Sequence, residues 1–252
     1  NVFVWSGEDG VVDVEEYYES LGLEMIPYGR RRIETHLPSG RRLEPEGSGV
    51  RMLLDLLHRS RLQFPGMAMG FLRRLLDEAL SHVRSRSVGG KTLSQYDQVD
   101  DRIAGLQAAY TTCTAMCAEA TTLAGVEHDC SSDALAANSI KTVITDMMHS
   151  GAQSLLQLVG AKGYRRDHLA GSAVVDSRPF QIFEGSNDIL YEQISDSVLK
   201  SMRRFKEDNL HRFVAAFDKT RRAAERLRGL LDISLSGELP QRKKVDLGRI
   251  LG

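Results

Sequence analysis

No apolar run in this 252-residue chain approaches the roughly twenty residues that a membrane-spanning helix needs. Neither sign of charge is in excess. There are 33 Lys and Arg against 34 Asp and Glu, so bulk electrostatics favours neither nucleic acid nor an acidic membrane surface. Cysteine is scarce. Cys113, Cys117 and Cys130 are odd in number and lack framework spacing, which points to reduced thiols and a cytoplasmic setting. Cys113 and Cys117 share a helix face and could be half a metal site. No second Cys or His pair accompanies them, so they read as core residues. The seven histidines form no HxxxH or HExxH pattern, and no metal ligand is assigned. No secretory leader is visible. An initiator Met is also absent, and Asn1-Val-Phe-Val-Trp reads as mid-strand, so upstream sequence is expected to be missing.

Two patterns mimic phosphate sites and fail on context. Gly90-Lys-Thr92 looks like the end of a phosphate-binding loop, but the required earlier glycine is Ser85 and a helix precedes it where a strand is needed. Gly160-Ala-Lys-Gly163 follows a helix and is not a dinucleotide fingerprint. Asp97, Asp100 and Asp101 suit a helix start, where carboxylates favour the dipole, better than a cation.

The chain divides by texture. Residues 1–47 alternate in short stretches such as Arg31-Arg-Ile-Glu-Thr-His-Leu37, with turns at Pro38-Ser-Gly40 and near Glu44–Gly49. They are too few for a self-standing sheet domain and read as the remnant of one. From about residue 48 apolar residues recur at helical spacing: Met52, Leu53, Leu56 and Leu57, then Leu72, Leu75, Leu76, Ala79, Leu80 and Val83. Pro65 should kink or divide this helix, and Gly89-Gly90 should end it. A second helix is predicted from about Leu93 to Ala124. A third follows the capping cluster Ser131-Ser-Asp133 and runs to Leu158. A fourth spans about Ser186 to Lys200. Long helices joined by short turns predict a mainly α fold, an antiparallel four-helix bundle over 48–199. Residues 200–252 read as a helical extension with a partly mobile end. Ten Lys and Arg against four Asp and Glu between Lys200 and Arg228 could attract phosphates, although a solvated helix face explains them more simply.

Residues 181–190, Gln-Ile-Phe-Glu-Gly-Ser-Asn-Asp-Ile-Leu, carry the most chemistry. Glu184 sits between an aromatic and a glycine. Gly185 permits close backbone approach, and Ser186 and Asp188 suit a helix start. A carboxylate at such a bend can face a cavity and take a proton from a weak carbon acid. Spacing alone favours the plainer reading, a solvated Glu in a turn.

Three segments taken together resemble the acyl-CoA dehydrogenase family. Arg86-Ser-Val-Gly-Gly-Lys-Thr-Leu-Ser-Gln-Tyr-Asp-Gln-Val99 is similar to the family's Arg-x-x-Phe-Gly-x-x-Leu-x-x-x-Gln-x-Val element. Gln157-Leu-Val-Gly-Ala-Lys-Gly-Tyr164 is similar to the Gln-x-x-Gly-Gly-x-Gly-Phe turn, and the Glu184 segment to Ile-Tyr-Glu-Gly-Thr-x-x-Ile. Order and spacing agree over roughly residues 20–200. The resemblance implies the tail of the family's middle β domain followed by its C-terminal helical bundle.

It further implies α,β-dehydrogenation of an acyl-CoA thioester to the 2-enoyl-CoA, with FAD as cofactor. It implies a homo- or hetero-oligomer, dimer or tetramer, and an electron-transfer flavoprotein or similar acceptor. Glu184 matches the base that takes the α proton, Phe183 the aromatic beside the thioester, and Gly185 the glycine that follows. Arg61 matches an Arg near the CoA side of the cleft. Some relatives carry the base just before that Arg, where this chain has Ser60. Arg86, Gln157, Gly160, Gly163, Ser186 and Asp188 match FAD-contacting positions. The chain departs from the pattern at Val88, Gly89, Asp97, Ala161 and Val175, mostly on the FAD side. Those departures keep an alternative open, a non-catalytic relative working with a partner chain. On either account the isolated chain is expected to be inactive.

Overall fold

The computed structural model describes residues 2–7, 10–45 and 47–252. They form two compact units, residues 1–184 and 185–252. The first opens with β1 (Gly10–Tyr17) paired antiparallel to β2 (Gly29–Thr35), with an irregularity between Val14 and Glu16. Nearly every residue of this hairpin is exposed. Two strands without a covered face bury too little to stand alone.

The helical part starts at α1 (Gly49–Leu62), where Ser48 Oγ accepts the Arg51 N–H as an N-cap. Pro65 divides the apolar run. Its missing N–H costs nothing in a first turn, so α2 (Phe64–Ser85) begins afresh there. α2 ends in a tight hairpin of β3 (Ser87–Val88) and β4 (Lys91–Thr92), turned by Gly89 and Gly90 at φ 59° and 81°. Thr92 and Gln95 then form a capping box ahead of α3 (Asp97–Leu123).

Val99, Leu106, Cys113 and Ala120 are the buried residues of α3, one per seven residues, and they form a narrow seam toward α2 and α4. α4 (Ala134–Val159) is the central helix. Ile144, Ala152 and Leu155 on it are fully buried against Leu72 and Leu75 of α2. The predicted cap is partly corrected here. Asp133 occupies the N-cap position, but its carboxylate accepts from His128 and makes no cap bond. α5 (Leu169–Ser177) closes over the end of α4. Asp176 on it accepts the Leu23 N–H at 2.6 Å, which fastens the segment after β1 to the helices.

Gly151 of α4 marks a close approach to α2 and α3. A Cβ there would lie 2.7 Å from Leu72 Cδ2 and 3.3 Å from Leu106 Cδ2. Gly151→Val should therefore overpack this layer and lower stability by about 1–3 kcal/mol, read as a reduced urea midpoint at unchanged slope.

The second unit begins with α6 (Asn187–Phe205), followed by α7 (Leu210–Ala215), α8 (Asp218–Arg226), α9 (Arg228–Leu231) and α10 (Gln241–Leu251). The end of the chain, expected from its polarity to be partly mobile, is the ordered helix α10 packed on α6. Gly248 lets the two backbones meet, since a Cβ there would collide with the Tyr191 carbonyl. Lys244 pairs with Asp196 at 2.8 Å, and the Arg249 guanidinium lies over the Tyr191 ring. No helix among the described residues is long and apolar enough to cross a membrane.

Candidate active site

Glu184 is where the chain leaves a 3-10 turn at residues 178–181. The Ile182 and Phe183 N–H groups both donate to the Pro179 carbonyl. Glu184 then takes φ 58° and Gly185 φ 92°. A left-handed conformation is ordinary for Gly185 and costs a Glu roughly 1–2 kcal/mol. Such strain persists only where the surroundings hold it.

Arg61 supplies the hold. In the last turn of α1 and 8% exposed, it donates through Nε to the Glu184 carbonyl at 2.9 Å and through a terminal nitrogen to Asn138 Oδ1 at 2.7 Å. Asn138 is itself buried on α4. Gln181 fixes the turn from the other side by donating to Asp146 at 2.6 Å. The fork of a guanidinium suits two acceptors in different directions.

The carboxylate so positioned is unusual among the described residues. Glu184 Oε2 is buried and has no hydrogen-bond partner. Its charge acts on two buried cations, Arg61 and Lys141. Burial pushes the Arg61 guanidinium below its ordinary value, and the Glu184 charge opposes that shift. Lys141, wholly buried on α4, is lowered to about 8, first by burial and then by Arg61, with Asp146 and Glu184 opposing. Next to Glu184 in the chain, Phe183 packs on Phe180 at 5.0 Å between ring centres, and both meet Phe64 at the start of α2. The turn thus joins an aromatic cluster to a carboxylate whose Oε2 is buried without a donor.

Lys141 makes stability depend on pH in a definite direction. Between pH about 8 and the ordinary lysine value of 10.5 the unfolded chain binds a proton at this position that the folded chain does not. Unfolding then takes up protons, so this group's destabilising effect is full below pH 8 and fades as pH rises. Lys141→Met should remove that rise, seen by comparing denaturation midpoints of the two proteins from pH 7 to 10.

The other residues singled out in the sequence lie apart. Arg86 is the exposed C-cap of α2, its backbone N–H donating to His82 O. Gln157 and Gly160 line an open concavity of about 270 Å³ with Gln153, Leu156, Ala161 and Tyr164. Gly160 has φ 67° and nothing within 4 Å of where its Cβ would be, so the backbone there is bare. Gly163 is buried, and its missing side chain makes room for Ala170, Leu156 and Val159 at 3.1–3.2 Å. In the second unit Ser186 is the N-cap of α6 without a side-chain cap bond, and Asp188 pairs with Arg249 at 3.0 Å along a groove of about 470 Å³.

Sequence reasoning did not find Asn138, Lys141 or Phe180. A signal was present. Asn138, Lys141, Thr142 and Thr145 recur at helical spacing on the buried side of an otherwise apolar helix. Polar residues in such a stripe usually face a partner or a ligand.

Helices and turn together define a helical-bundle domain with one carboxylate oxygen buried at the turn. Residues 47–199 match the family described as acyl-CoA dehydrogenase, C-terminal domain, and the chain belongs to that family. It is 25% identical over 166 residues to the mitochondrial long-chain specific acyl-CoA dehydrogenase of Rattus norvegicus, covering 66% of this chain and 38% of that one. It is 27% identical over 165 residues to the mitochondrial isobutyryl-CoA dehydrogenase of Bos taurus, covering 65% and 39%. The fold matches the butyryl-CoA dehydrogenase of Megasphaera elsdenii with a TM-score of 0.68 at 18% identity, over 78% of this chain and 51% of that one. The chain thus spans well under half the length of these curated relatives.

Proposed function

We propose that this chain supplies the acid-base half of an FAD-dependent acyl-CoA dehydrogenase. The observation that carries the reading is Glu184 Oε2, buried without a partner at the held turn. In this reading the Glu184 carboxylate takes the proton α to the thioester carbonyl. The C–H electron pair becomes the α,β double bond as the β hydrogen leaves with its own pair. FAD, when bound, supplies the acceptor for that hydride. Phe183, next to Glu184 in the chain, packs with Phe180 and Phe64 in an apolar cluster that would limit water near the turn. Arg61 and Asn138 keep the base in its left-handed turn.

The residues present fit the cofactor in part. The concavity at Gln157 and Gly160 offers bare backbone and an exposed amide, which suit the adenosine half, and Arg86 has the charge and exposure for the pyrophosphate. Gly163 serves the same turn from beneath, by packing. Ser186 and Asp188 follow the base at the start of α6, with Asp188 engaged by Arg249. The acyl-CoA substrate, an electron-transfer flavoprotein or similar acceptor, and an oligomeric assembly belong to the same reading.

The deciding experiment replaces Glu184 by Gln in the native flavin-containing assembly and follows flavin bleaching on addition of acyl-CoA. Bleaching should be lost. Turnover that survives would sink the reading in favour of a non-catalytic helical subunit.

A further inference from the structure

A second cluster lies away from Glu184, where the α3–α4 loop meets α1. His128 Nε2, Cys130 Sγ and a carboxylate oxygen of Asp133 all lie within 4.8 Å of one another. His128 Nε2 and Asp133 Oδ2 are 2.7 Å apart, and Cys130 Sγ is 3.9 Å from the His128 carbonyl. We propose that His128, Cys130 and Asp133 form a binding site for a divalent transition-metal ion, zinc in the first instance, that fastens the α3–α4 loop.

The donor set argues for the ion. Imidazole nitrogen, thiolate sulfur and carboxylate oxygen are the ligands of a borderline-soft cation, and three protein ligands leave a fourth tetrahedral position for water. Metal–ligand bonds of about 2.0–2.3 Å set ligand atoms roughly 3.3–3.8 Å apart, so the His128–Asp133 contact needs to open by well under 1 Å. Cys130 is fully buried while His128 and Asp133 are 49% and 23% exposed at their side chains, which gives an inner soft ligand and an outer entry path. Binding replaces the thiol proton by the cation. The S–H bond breaks, the S–metal bond forms, and the proton goes to solvent.

The loop is also held ready. Asp55 accepts the Cys130 N–H at 2.7 Å, and His58 Nδ1 lies 2.8 Å from the Cys130 carbonyl. Arg59 donates to the carbonyls of His128 at 2.7 Å, Gly125 at 3.1 Å and Ala124 at 3.3 Å. Partners that fix ligand-bearing backbone reduce the ordering that metal binding requires. The two guanidiniums nearby are each matched by a carboxylate, Arg59 by Asp55 and Arg51 by Asp129, so they do not oppose the cation alone. The spacing His-x-Cys-x-x-Asp matches no common ligand motif, which is why the sequence alone gave no such site.

The test uses the full chain in its native assembly, stripped with chelator and then dialysed against zinc or cobalt alone. One zinc per chain should survive dialysis and raise the melting midpoint, since an ion that binds only the folded state stabilises it. The cobalt form should show the near-ultraviolet sulfur-to-cobalt charge-transfer band, which Cys130→Ser abolishes. His128→Ala and Asp133→Asn should each weaken zinc binding at least about tenfold, while in chelator their melting midpoints should fall by no more than loss of the partly exposed His128–Asp133 contact allows. No retained zinc, retention that none of the three substitutions affects, or a cobalt spectrum without the sulfur band would overturn the proposal.

Discussion

Glu184→Gln should lower the turnover of the native flavin-containing assembly by about 10²–10⁴-fold, the usual contribution of a positioned general base. The substitution keeps size and shape and removes only the capacity to accept a proton. It breaks no hydrogen bond at Oε2, which has no partner, and it leaves the Glu184 carbonyl in the grip of Arg61. The fold should therefore persist by circular dichroism, and acyl-CoA should still bind and perturb the flavin spectrum. A large fall in kcat with little change in binding is the signature of a group that acts in the transition state. Equal loss of binding and rate would place Glu184 in substrate recognition instead.

How much of this could be read from the sequence depended on the physical signal each part carries. Pro65 cannot donate in a helix interior, so the division between α1 and α2 was legible at that residue. The apolar period marked α2, α3 and α4, and the ordered motifs marked the Glu184 turn. α10 was not legible. Its sequence, Gln241-Arg-Lys-Lys-Val-Asp-Leu-Gly-Arg-Ile-Leu251, is strongly polar and carries a mid-helix glycine, which in isolation argues against a helix. That glycine is what admits α10 to the backbone of α6 at Tyr191. The preference of a short helix was overridden by a tertiary contact that no local pattern encodes.

The candidate site divides in the same way. Glu184, Phe183 and Gly185 are contiguous and could be read together. Arg61 and Asn138 are 77 residues apart in the chain and meet through one bond between α1 and α4, so only the packing reveals that they act as a pair. The resemblance also implied that Arg61 faces the CoA side of the cleft, whereas its guanidinium donates to the Glu184 carbonyl and to Asn138 Oδ1. The two roles make different claims about kinetics.

Replacing Arg61 separates them. Arg61→Ala leaves the Glu184 carbonyl and Asn138 Oδ1 without the donor they now share. Loss of hydrogen bonds from a charged group should cost about 1.5–3 kcal/mol in urea unfolding. Without that hold the left-handed Glu184 is free to relax, and a misplacement on the order of 1 Å can cost about 10² in rate. The expected pattern is a fall in kcat with KM nearly unchanged. Arg61→Lys should restore little of it, because an ammonium cannot reproduce a planar fork aimed at two acceptors. Lys141 provides an internal check. Arg61 is among the causes that lower it to about 8, so in Arg61→Ala the rise of stability with pH should begin at higher pH than in the unaltered chain. A raised KM at constant kcat, with that onset unmoved, would assign Arg61 to the substrate and leave the turn held by Gln181 and Asp146 alone.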